Sequence, residues 1–339
     1  MTLFSHHEQT PIPEHAFAPY IRILGKGKKG SRPLTQEEAY QAMGMILRGE
    51  VLPEQLGAFL MLMRVKEESP EELAGFVQAV REHLPQSNIQ VDLDWSSYAG
   101  KRRHLPWFLL SALLLAQNGV RVVMHGSEGH IAGRLYTENM LSYLGLKAAT
   151  SNNEVAQQLE QHNFSYIGLK HFCPTLDHII NLRPILGLRS PVHTLVRLIN
   201  PFNATHSIQG IFHPNYRPVH QMASALLGDK HTAVLKGEGG EVERNPDVNC
   251  LVQSVEHGEM FDETWPAMFT HRHIKDEILD PNHLKLIWQG KLENEYAEAA
   301  IIGTTAIALK LLDKANTLLN AEQLARKYWQ NRNDLVFFG

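Results

Sequence analysis

Three times in the first quarter of the chain, apolar residues recur at helical spacing behind a capping signal. Thr35 and Glu38 form a capping box that opens a helix to about Arg48. Pro53 opens a second helix, and Leu56, Phe59, Leu60 and Met63 fall on one buried face. Ser69-Pro70-Glu71-Glu72 starts a third, with Ser69 as cap, Pro70 in the first turn and Glu72 reaching back. Short loops between them predict a small helical bundle. Residues 1–20 ahead of it read as a loose arm.

Beyond Pro85 the pattern changes. Val120–Met124 reads as a buried strand ending in His125-Gly126, and further strands are expected at Ser165–Ile167, Ser207–Phe212, Ala233–Lys236 and Cys250–Val255. Helices are expected at Thr137–Leu144, stopping at Gly145, and at Glu154–His162, Pro218–Leu227, Glu295–Lys314 and Ala321–Asn331. Alternating strand and helix implies a mainly parallel sheet covered on both faces. The fold class is therefore α/β, with a small helical domain at 1–85 and a large α/β domain at 86–339. The apolar tail Leu335–Phe338 reads as core or as a dimer contact.

The apolar helix after Trp107 follows a loop with three successive cations, Lys101, Arg102 and Arg103. Cations at a helix start oppose its dipole, so the loop is expected to receive an anion. A second basic stretch, Ile21–Arg32, holds Lys26, Lys28, Lys29 and Arg32 among glycines that permit close approach to phosphate. A formal net charge of −4 excludes a globally basic nucleic-acid binder, so any basic surface is local. Two cysteines make no disulfide framework, and no apolar run is long enough to span a bilayer. A cytoplasmic protein with no membrane partner is expected. The 19 histidines are scattered, and even His271-Arg272-His273 lacks neighbouring ligands at metal spacing, so no metal site is predicted.

The stretches Leu34–Glu50, Gln55–Arg64 and Glu71–Gly75 resemble the start of anthranilate phosphoribosyltransferases. Leu186–Arg189 through Asn200-Pro201, and Val234–Gly240, are similar to later segments of that family at matching spacing. The resemblance implies a helical domain joined to an α/β domain, substrate between them, and a homodimer through the helical domain. It also implies that residues near 175–195 return to the helical domain. The residual family pocket would comprise His125, Gly126, Arg183 and Glu243, with Arg183 where the acceptor carboxylate is held.

The chemistry motifs depart from that family. Its glycine-rich pyrophosphate loop is replaced by Ser97-Tyr98-Ala99-Gly100-Lys101, and its following polar contacts fall on Pro106 and Phe108-Leu109. A phosphate-binding lysine and arginine become Met124 and Glu128, and a magnesium-binding acid pair becomes Val242-Glu243. The combination resembles the YbiB-like subgroup, which implies binding of DNA or RNA without sequence preference. Phosphate contacts would come from Lys26, Lys28, Lys29, Arg32, Lys101, Arg102 and Arg103. The alternative is a pentosyl or phosphoribosyl transferase with an altered donor site. No residue is assigned as catalytic and no cofactor is expected, magnesium entering only under the enzyme reading. Glu238, Glu241 and Glu243 are expected to orient nearby cations rather than hold a metal.

Overall fold

The computed structural model describes residues 13–27, 29–129, 133–276 and 278–333. Helices α1 (Ala18–Gly25), α2 (Gln36–Leu47), α3 (Pro53–Lys66) and α4 (Pro70–His83) form the helical unit. Both predicted capping boxes are made, Thr35 with Glu38 and Ser69 with Glu72. Glu72 does more than cap: fully buried, it also accepts the N–H of Leu34 at 2.8 Å and so ties α4 to the entry of α2. The expected loose arm is corrected over 13–20. Phe17 is wholly buried against Phe59, and α1 begins one residue later.

Seven strands follow: β1 (Leu93–Ser97), β2 (Val122–Gly126), β3 (Phe164–Gly168), β4 (His206–Ile211), β5 (His231–Lys236), β6 (Cys250–Glu256) and β7 (Glu259–Trp265). They form one sheet in the order β3-β2-β1-β4-β5-β6-β7. The ladder is parallel from β3 to β5 and antiparallel at β6 and β7. The chain reverses sheet direction at β1, so the loop leaving β1 lies at a topological switch point.

Helix α5 (Trp107–Gln117) is buried from Trp107 to Ala116, which explains its unbroken apolar sequence. It and the helix Glu295–Leu311 share the main core with Leu93, Trp95 and Ile208 of the sheet. A second core unites the helical unit with Leu169, Leu176, Ile180, Val192 and Leu195. Arg81 of α4 locks the two parts together, pairing with Asp229 at 2.7 Å and donating to the carbonyls of Leu198 and Ile199.

At the end of β2, Gly126 lies so near β1 that an added Cβ would stand 2.1 Å from the Ser97 carbonyl oxygen. Gly126→Ala is expected to cost about 1–3 kcal/mol through this main-chain overlap. Urea denaturation followed by circular dichroism measures it, and a loss below ~0.5 kcal/mol would show that the strands part freely.

Candidate functional site

The loop from β1 to α5 presents converging donors, and their anions come from within the chain. Glu241 is fully buried. One of its oxygens accepts the N–H groups of Ala99 and Gly100, both at 2.6 Å, and the other accepts the Ser97 hydroxyl at 2.8 Å. Glu238 accepts the N–H groups of Arg102 and Arg103 at 3.1 and 2.7 Å. Glu243 accepts the Phe108 N–H at 2.9 Å, placing a carboxylate at the start of α5 where the helix dipole favours it. The glutamate loop reaches this seat because Gly239 adopts a φ of 71° with its Cα against the Gly100 carbonyl. A Cβ there would lie 2.5 Å from that oxygen.

Lys101 belongs to this internal arrangement. Only 1% exposed, it donates to Glu243 and pairs with Glu238 at 3.0 Å. Burial works to lower its pKa, but the two carboxylates outweigh burial and hold it above its ordinary value. Its expected contact with nucleic-acid phosphates is therefore corrected: the ammonium is enclosed by its own chain's carboxylates. Arg102 and Arg103 remain exposed beside it.

Those two arginines line a cavity of about 570 Å³ at the C-terminal ends of the strands, together with Arg217, Lys236, Arg272 and Lys275. Among the described residues, Arg102, Arg103, Lys236, Arg272 and Lys275 have no carboxylate within ion-pair distance. Such a concentration of unpaired cations favours an anionic ligand. Sequence reasoning missed Arg217, Lys236, Arg272 and Lys275. One signal was available, since Lys236 closes a predicted strand at a glycine-rich loop, where α/β sites form. Magnesium does not fit the position the family resemblance suggested. Val242 offers no ligand atom, and both oxygens of Glu243 are engaged by Lys101 and Phe108.

A smaller cavity, about 100 Å³, opens between the helical unit and the sheet and shares Phe212 and Gly239 with the larger one. Its walls include Tyr98, Arg189 and Arg197. Burial pushes Arg197 down to about 10, with Glu241 opposing that shift. Tyr98 meets Nδ1 of His125 at 2.7 Å, and Nε2 of His125 faces Asp94 at 3.3 Å. The carboxylate only accepts, so Nε2 carries the proton and Nδ1 accepts from the tyrosine hydroxyl. His125 thus fixes Tyr98 from beneath the cavity, and Gly126 beside it allows the strands to close. Arg183 sits half-buried on the short helix Arg183–Leu186 and lines neither cavity; Glu243 lines the larger one.

The second basic stretch does not join this site. Lys26 and Lys29 are exposed after α1, while Arg32 is bound by both oxygens of Glu38 at 2.6 Å. None of the three lines either cavity. Lys28 lies outside the described residues, as does the tail Leu335–Phe338.

Comparison with known proteins agrees with this architecture. The helical bundle domain of a glycosyl transferase family matches residues 18–84, and that family's α/β domain matches residues 108–331. The chain is 29% identical to the uncharacterized protein YbiB of Escherichia coli (strain K12), over 67% of this chain and 72% of the relative. It is 28% identical to an anthranilate phosphoribosyltransferase of Chromobacterium violaceum, over 68% of each chain. The anthranilate phosphoribosyltransferase structure from Thermus thermophilus superposes with a TM-score of 0.73 and 22% identity, covering 93% of this chain and 94% of that one. These matches overturn the expectation of a DNA- or RNA-binding protein. Both parts of the chain match a glycosyl transferase family, and the relatives include anthranilate phosphoribosyltransferases. No helix among the described residues is long and apolar enough to cross a membrane.

Removing Lys101 leaves Glu243 buried without its cation, so Lys101→Ala is expected to cost about 3–5 kcal/mol, against ~0–1 for a surface cation. The pH dependence follows from the raised pKa. The stabilisation is complete below the ordinary lysine value of 10.5 and is lost as pH rises through the higher folded value. Urea denaturation of wild type and variant measures both effects. Their stabilities should converge at the alkaline end, and a variant as stable as wild type at pH 7 would show that the pair contributes nothing.

Proposed function

The chain belongs to the glycosyl transferase family that joins a helical bundle domain to an α/β domain, and from that premise we propose a pentosyl or phosphoribosyl transferase whose donor is held by side-chain cations. One observation carries this reading. The backbone amides that would take a phosphate are filled by Glu238 and Glu241, while five cations without a carboxylate partner among the described residues surround the adjoining cavity. Phosphate recognition has moved from main chain to side chains.

The chemistry follows from that charge distribution. In pentosyl transfer the bond from the anomeric carbon to the leaving phosphate or pyrophosphate oxygen breaks with its electron pair. A lone pair of the acceptor forms the new bond, and the acceptor's proton departs to water. Negative charge grows on the leaving group, which Arg102, Arg103, Lys236 and Arg272 are positioned to stabilise. The smaller cavity, with Arg189 and Arg197, suits an anionic acceptor reaching the sugar from the helical side. Magnesium takes no part in this account.

The test is calorimetric titration with phosphoribosyl pyrophosphate. The double variants Lys236→Ala/Arg272→Ala and Arg102→Ala/Arg103→Ala should each raise Kd tenfold or more, about 1.4 kcal/mol. Anthranilate with phosphoribosyl pyrophosphate and magnesium should give no product above background. Wild type that fails to bind the donor, or binding unchanged in both variants, would overturn the reading.

A homodimer through the helical domain is also proposed. Val65, near the end of α3, is 82% exposed, an apolar side chain left for a second copy to cover. Sedimentation equilibrium at micromolar concentration should report twice the mass of one chain, and a monomer there would sink the assembly.

A further inference from the structure

The opposite end of the sheet, at the N-terminal ends of the strands, carries a second group of chemically capable side chains. β4 begins with His206 and β5 with His231, and the two are partners in the parallel register. Register partners on adjacent strands point to the same face. Their imidazole centroids accordingly lie 4.7 Å apart. Asp313, in the turn after the helix Glu295–Leu311, brings a carboxylate to the pair. One ligand atom from each of the three lies within 4.8 Å of the others.

Two details prepare these side chains for a cation. Nδ1 of His206 meets the carbonyl of Asp92 at 3.1 Å. A carbonyl only accepts, so Nδ1 holds the proton and Nε2 keeps its lone pair, the outer-shell arrangement typical of metal-binding histidines. His231 is only 8% exposed, and its Nδ1 has no hydrogen-bond partner among the described residues. Asp313 is 4.0 Å from that nitrogen, beyond hydrogen-bond reach. A buried, unpartnered imidazole nitrogen is costly, and an ion between it and the carboxylate removes the cost.

We propose that His206 Nε2, His231 Nδ1 and the Asp313 carboxylate form a binding site for a divalent transition-metal cation of the zinc type, with water as fourth ligand. A tetrahedral ion with bonds of ~2.0–2.1 Å sets its ligands about 3.3 Å apart. The Asp313 side chain, 67% exposed, has the freedom to make that small approach. Imidazole ligands select zinc, cobalt, nickel or copper over magnesium and calcium. His257 packs edge-on against His231 at 4.6 Å and flanks the opening. The site fastens β4 and β5 to the end of the helix Glu295–Leu311, and it is separate from the cationic cavity at the strands' C-terminal ends.

The full chain, dialysed against chelator, would be titrated with cobalt chloride and the visible d–d absorption followed, with zinc chloride as competitor. Wild type should bind one equivalent with the intense bands of a tetrahedral site, and zinc should bleach them and raise Tm. Asp313→Asn, a change at an exposed side chain, should weaken binding tenfold or more. His206→Gln and His231→Gln should abolish it, with circular dichroism confirming the fold. His271→Gln, in the separate group His271, His273 and Glu295, should leave it intact. No stoichiometric binding by wild type would overturn the proposal. So would unchanged affinity in Asp313→Asn together with a folded His206→Gln, or loss confined to His271→Gln.

Discussion

Three carboxylates seated on one loop set the terms for the rest of this molecule. The segment between β1 and α5 turns six donors inward, five backbone N–H groups and the Ser97 hydroxyl, and Glu238, Glu241 and Glu243 satisfy all of them. A buried donor without a partner costs about 1–3 kcal/mol, so the loop folds inward only because those acids arrive. Their arrival in turn requires the left-handed turn at Gly239 and a cation, Lys101, enclosed among them.

The same arrangement sorts the positive charges of the site into two kinds. Lys101 is buried and serves the interior, neutralising Glu238 and Glu243, whereas the part-buried Arg197 feels Glu241 and also lines the smaller cavity. Arg102, Arg103, Lys236, Arg272 and Lys275 stand outside that neutralised centre, with no carboxylate paired to them among the described residues. An anion entering the larger cavity would meet this second group. Adjacent residues of one short motif, Lys101 and Arg102, have opposite fates because one faces the glutamates and its neighbour faces the cavity.

Helices α2 and α4 were legible because their capping boxes are contacts three residues apart, written out in sequence order. Strands β2 to β6 were legible from apolar runs, with ends shifted by a few residues at most. β1 was missed although Val91–Ser96 alternates apolar and polar residues, a pattern that reads as a half-buried strand, whereas all five residues of β1 are buried. Its Asp94 and Ser97 are buried through partners far along the chain, His125 and Glu241. β7 was missed for the opposite reason, as an edge strand that is largely exposed. In the site, the anion demanded by the basic loop was readable, and Glu238, Glu241 and Glu243 were expected to orient cations, but that these acids are themselves the loop's anion was not. Lys101 meets Glu243 across 142 residues, a separation to which no local pattern is sensitive. Arg217, Lys236, Arg272 and Lys275 likewise come together only through the sheet order.

A carboxylate carried by the chain differs from a phosphate that diffuses in. Glu241 is held against its amides by the fold, so they face an acceptor at all times. The amides of the loop between β1 and α5 are consequently insulated from inorganic phosphate and phosphorylated metabolites, which compete at any open amide nest. The internal acid thus closes those amides to small anions and leaves any anion in the cavity to side-chain cations.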